Sequence, residues 1–150
     1  MTRLTKKHLI VILAVLIATP IAFYLAAPLF LSKTIDEEIE EKSSFETLSQ
    51  GTFMGADSSH EASGSAYIFQ SNNGSRFLRL ESFETTNGPD LFIYLASDTG
   101  ASEFVDLGRL KANIGNQTYV IPSNVDLSDY DYALIWCKAF RVLFGSAKLG

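Results

Sequence analysis

Residues from which metal and thiol sites are built are scarce in this chain: one cysteine, two histidines and two methionines in 150 residues. A lone cysteine cannot form an intramolecular disulfide, and counting alone excludes a CxxC pair or a cysteine-rich zinc site. Basic charge is short as well. Twelve Lys and Arg against 17 Asp and Glu leave a formal charge of −5, without the clustered cations that nucleic-acid phosphates require. No nucleic acid partner is expected. A nucleophile elbow, a phosphate loop, a paired-carboxylate motif and HExxH are also missing, so no catalytic motif supports an enzyme.

What is present is unevenly placed. No formally charged side chain lies between Lys7 and Lys33, and residues 9–31 supply roughly the 20 apolar residues that cross a hydrocarbon core. This predicts one N-terminal transmembrane helix over 9–31. A cleaved signal peptide is the competing reading, with Ala26-Ala27 imitating its cut site, but its apolar core runs to only about 7–15 residues. Pro28 is expected near the outer end of the helix. Arg3, Lys6 and Lys7 precede the span, whereas Asp36, Glu37, Glu38, Glu40 and Glu41 follow it. That bias puts residues 1–8 in the cytoplasm and everything after the span outside a single-pass cell-membrane protein, with the lipid bilayer as its first partner. Residues 32–50 read as an acidic, solvated stalk, either a helical continuation or a flexible tether.

From residue 51 to 150, short β-rich runs alternate with Gly, Asn, Asp and Ser clusters, the pattern of an all-β fold. The expected architecture is an antiparallel β-sandwich or barrel of eight to nine short strands. Asn73-Gly74, between residues 64–70 and 76–83, is a strong hairpin signal, because both central residues of the matching two-residue turn need positive φ. In the second arm Leu78, Leu80 and Phe83 are expected to face in, and Arg79 and Glu81 out. Residues 91–96 and 132–137 are continuous apolar runs, expected as strands covered on both faces. In the latter, Ala133, Ile135 and Cys137 share one face while Leu134 and Trp136 share the other. A turn or bulge is expected near Lys138-Ala139.

The ordered elements Gly51-Thr-Phe53, His60 with Ser63-Gly64, Asn87-Gly88-Pro89-Asp90, Gly108, Pro122, and Trp136-Cys137 with Phe140 and Phe144 resemble the DM-thirteen domain. That electron-transfer module occurs beside DOMON domains in Skeletor-type animal proteins and alone in bacterial and archaeal membrane-anchored proteins. The resemblance covers about two thirds of the chain and implies a small all-β domain outside the cytoplasm, with a redox role centred on the cysteine that Cys137 matches.

Read from the residues themselves, Cys137 has two roles open to it. A free cysteine is usually a small buried hydrophobe, whereas redox use needs a thiolate or metal-bound sulfur beside a cation, metal or backbone donor. His60, Trp136, Lys138 and Phe140 are the candidate neighbours, with Lys138 expected on the opposite face of the strand. His60 in a loop over Cys137, with Met54 as the one nearby thioether, would offer ligands for copper or haem, a thin set for either. Asp57, Asp90 and Asp106 sit in turns, where an aspartate caps its own backbone more readily than it binds calcium. The leading expectation is electron exchange with a protein redox partner through Cys137. The alternative is a ligand-binding or adhesion module in which the cysteine only packs.

Overall fold

The computed structural model describes residues 5–39 and 45–150; Arg3 and residues 40–44 of the expected stalk lie outside them. The chain opens with a helix, α1 (Lys6–Phe30), whose described side chains from Leu9 to Phe23 are exposed on every side. At about 1.5 Å per residue its 25 residues reach roughly 37 Å, more than the ~30 Å of a bilayer's hydrocarbon core. It is long and apolar enough to span a membrane. The helix continues two residues past Pro28.

Nine strands follow: β1 (Thr34–Asp36), β2 (Phe45–Gly55), β3 (Ala62–Ser71), β4 (Arg76–Thr85), β5 (Leu91–Ala96), β6 (Phe104–Arg109), β7 (Ile114–Ile121), β8 (Tyr132–Cys137) and β9 (Val142–Lys148). They form one sheet in the order β1-β7-β4-β3-β2-β9-β8-β5-β6, antiparallel except for β1 against β7, and curled into a half-barrel. β2 turns the corner, pairing with β3 along residues 45–52 and with β9 along 53–55. Phe53, at that corner, packs edge-on against Phe83 with centroids 5.2 Å apart. The concave side holds the core, in which Ala66, Leu78, Leu80, Ile93, Leu95, Ala133, Ile135 and Cys137 have no exposed surface.

Three local expectations change. Part of the supposed stalk is sheet: Thr34–Asp36 pairs with residues 114–116, and Lys33 N donates to Asn113 Oδ1 at 2.6 Å. The acidic residues had suggested solvation, but Glu37 accepts from Lys111 Nζ at 2.7 Å and from Thr118 N at 2.8 Å, so its charge is used to close the β7 edge. β2 likewise begins at Phe45, whose ring meets Phe69 and Phe77. The β3–β4 connection is the four residues 72–75, closed by Gly74 N donating to Ser71 O and Ser71 N to Ser75 O. Gly74 takes φ 83°, while Asn73 is not among the positive-φ residues, because its Oδ1 accepts from Ser75 N instead. Arg79 points away from the core as expected but is only 3% exposed. Glu37, Glu38 and Ile39 lie beside it, and Nη1 donates to Thr118 Oγ1 at 2.9 Å.

Candidate functional site

Cys137 is the last residue of β8, opposite Leu91 of β5 and Val142 of β9. Period-two alternation turns it inward with Ala133 and Ile135, and Leu134 and Trp136 outward into a second apolar cluster with Tyr94, as expected. The thiol is 0% exposed among Leu91, Ile135 and Phe144, and among the described residues it has no hydrogen-bond partner.

The 87–90 loop caps this end of the core. A Cβ on Gly88 would stand 2.8 Å from Leu91 Cδ2 and 2.9 Å from Phe144 Cζ, so only glycine lets the loop lie this close. Asp90 is tied down twice: its carbonyl accepts from Lys138 N at 2.9 Å, and its carboxylate accepts from Arg109. His60 packs on the same Phe144, ring centroids 4.4 Å apart, from the 56–61 loop. Phe144 thus stands between His60, Gly88 and the core that holds Cys137.

Phe144 is also what His60 covers, rather than the sulfur. Nδ1 of His60 bonds Asp57 Oδ2 at 2.8 Å, and Asp57 Oδ1 accepts from Ser59 N and His60 N. The hydrogen bond to His60 leads the causes that hold the Asp57 carboxyl below its ordinary range. Asp57 is therefore a turn cap, as is Asp126, which accepts from Ser128 N, whereas Asp106, expected in a turn, lies within β6 and accepts from Gly108 N beside the shift in its register with β5. A sulfur with no exposure and the Met54 thioether, 70% exposed, cannot share an ion without repacking. Among the described residues no group of three or more His, Cys, Asp or Glu could hold a metal. His60, Cys137 and Met54, weighed as copper or haem ligands, are not brought together.

Trp136 and Lys138 face the convex side. There Tyr94 stacks on Phe104 at 4.3 Å and lies 6.4 Å from Trp136, while Lys138 Nζ sits 4.5 Å over the Phe92 ring and 3.1 Å from Asp106 Oδ2. Arg109 covers the same ring at 5.2 Å. Burial, then the charge of Asp106, raises the Tyr94 phenol above its ordinary value. Sequence reasoning missed this aromatic and cationic face, since its members come from three strands whose pairing no local pattern reveals. Gly51, Phe53, Gly108 and Pro122 stand apart from Cys137 along the chain's pairings. Gly51 and Phe53 serve the β2 corner, Gly108 takes φ 112° within β6 where its register with β5 shifts, and the Pro122 carbonyl accepts from Val125 N and Arg76 Nη2. Phe140 is 70% exposed in the β8–β9 turn.

A family model described as electron transfer DM13 matches residues 52–149. No curated protein and no solved structure matches the chain.

Proposed function

Since the chain belongs to the DM13 electron-transfer family, we propose that it is a membrane-anchored electron-transfer module that exchanges electrons with a protein partner on the outer side of a cell membrane. The family match across residues 52–149 carries the redox part. The 25-residue apolar helix and the Lys6 and Lys7 charges at its start support the anchor, with the N-terminus inside. Residues 9–31 would span the bilayer, 1–8 would stay in the cytoplasm, and the β domain would stand outside, its fold starting within the acidic segment 32–50.

Cys137 is the redox centre that the family resemblance names, and its burial limits how it can act. Thiol–disulfide exchange requires an attacking thiolate to reach a sulfur, so Cys137 would react with a partner only after the end capped by Gly88, Asp90 and Phe144 opens. Its full enclosure among apolar side chains favours a second reading, in which the cysteine packs the core of a ligand-binding or adhesion module. Two measurements on the full chain in detergent separate these. Film voltammetry should give a redox wave that Cys137→Ser loses; a wave kept by that variant moves the centre off the sulfur, and no wave in either form removes electron transfer by this chain alone. A thiol reagent should label the native protein at least about 10³-fold more slowly than the unfolded one, the factor expected when opening costs 4 kcal/mol or more. Fast native labelling would show a reachable thiol and sink the packing reading.

A further inference from the structure

The sheet register gathers the same ends of all nine strands at one pole of the half-barrel. Thr34 pairs with Ile114, Glu84 with Ile114, Ala62 with Thr85, Gly55 with Gly145, Cys137 with Val142 and Leu91, and Phe92 with Arg109. The starts of β1, β3, β5, β7 and β9 and the ends of β2, β4, β6 and β8 therefore share that pole. The helix joins the domain there. Only residues 31–33 separate Phe30 from Thr34, which is at most about 14 Å of extended chain. Lys33 is moreover fixed to the pole, its N donating to Asn113 Oδ1 and its carbonyl accepting from Ile114 N at 3.1 Å.

The β8–β9 turn projects from this pole as Lys138-Ala139-Phe140-Arg141, all exposed. Phe140 offers an uncovered ring, and Arg141, held at φ 55°, makes no ion pair among the described residues. Nine strands about 4.8 Å apart, curled into a half-barrel, make an end roughly 25 Å across, so the turn lies within about that distance of Lys33. Aromatic and cationic side chains side by side suit the boundary between acyl chains and phosphates.

We propose that this turn docks on the bilayer that α1 crosses, with Phe140 immersed at the acyl boundary and Arg141 against lipid phosphates. Asp57, Glu61 and Glu84 line the part of the pole next to Ser32; their charge lifts that rim from an anionic surface and tips the β8–β9 rim toward it. The proposal rests on the membrane-anchor reading and adds the orientation of the domain on the lipid.

The test uses the full chain in vesicles of phosphatidylcholine with and without phosphatidylglycerol. A nitroxide is placed on Phe140→Cys and, at the far pole, on Asn73→Cys, each in a Cys137→Ala background so that only one thiol reacts. Retained β circular dichroism checks the fold. The label at 140 should be more accessible to oxygen than to a water-soluble relaxing agent, and the label at 73 the reverse. Arg141→Asn, which tolerates positive φ, should lessen immersion at 140 in the phosphatidylglycerol vesicles and leave it unchanged in pure phosphatidylcholine. Equal water exposure of the two labels, in protein that alkaline carbonate cannot extract, would overturn the docking while keeping the anchor. Extraction by carbonate would remove the anchor reading and the docking with it.

Discussion

The two faces of β8 come from one six-residue strand and have opposite characters. Inward, Ala133, Ile135 and Cys137 are wholly buried among aliphatic and aromatic side chains. Outward, Leu134 is sealed too, but Trp136 is only partly covered and the neighbouring Lys138 reaches back over Phe92 to Asp106. The residue proposed as the redox centre thus sits on the dry face, while the groups that meet solvent and cations sit on the other. Adjacency in sequence gives Trp136 and Cys137 no shared surroundings, because successive strand residues enter different layers.

The sharpest way to break this contrast is to truncate one residue on each face. Ile135→Ala deletes buried methyl groups at a site with no exposure and should cost about 2–5 kcal/mol. Trp136→Phe keeps a ring on the half-covered face and should cost less than about 1.5 kcal/mol. Denaturant midpoints of the two variants decide it: comparable losses would mean that the outward face is as tightly packed as the core.

A smaller effect tests the dryness around the sulfur. Cys137→Ser puts a hydroxyl where the thiol has no hydrogen-bond partner, so it should cost about 1–3 kcal/mol, more than Cys137→Ala. The Ser variant matching or exceeding wild type in chemical denaturation would point to water or a polar partner beside position 137. On the outward face the charges tune a phenol instead. Desolvation and the Asp106 and Asp90 carboxylates raise Tyr94, and Lys138 opposes them. Lys138→Met should therefore move the Tyr94 titration, followed by phenolate absorbance, further upward, and a downward move would show that Lys138 does not face it.

Much of this was legible before the structure, and for a physical reason: alternation along 91–96 and 132–137 assigns each side chain to a face whatever the strand's neighbours. The turn residues were legible too, since Gly88 and Asp90 act through their own backbone. Partnership was not. Nothing local to His60 says that it will lie on Phe144, and nothing local to Glu37 says that Lys111, 74 positions on, will meet it. Residues 34–37 were misjudged because acidic composition reports affinity for water, whereas an exposed sheet edge can hold a three-residue strand and one carboxylate against it. The site fared as the sheet did: Cys137 was placed on the correct face with Lys138 on the other, and its isolation from His60 emerged only from the packing of that ring on Phe144.

The smallest expected effect lies at that edge. Burial would by itself raise the Glu37 carboxyl, but hydrogen bonds from Lys111 and Thr118, with the charges of Lys111 and Arg79, outweigh it and leave Glu37 below its ordinary value. A carboxyl lowered in the folded state contributes stability above its unfolded pKa of about 4.3, and that contribution is lost as pH falls through the lower folded value. Hydrogen exchange at Ile114 N, which donates to Lys33 O beside β1, should therefore speed up below about pH 4 beyond the intrinsic change, with little change from pH 5 to 7. Glu37→Gln keeps the shape but cannot ionise, so its β1 protection should be lower at pH 7 and flat across the acid range. Acid-loosening that persists in Glu37→Gln would assign the titrating group elsewhere, and the contrast between a charge-clamped edge and an apolar core would then need a different clamp.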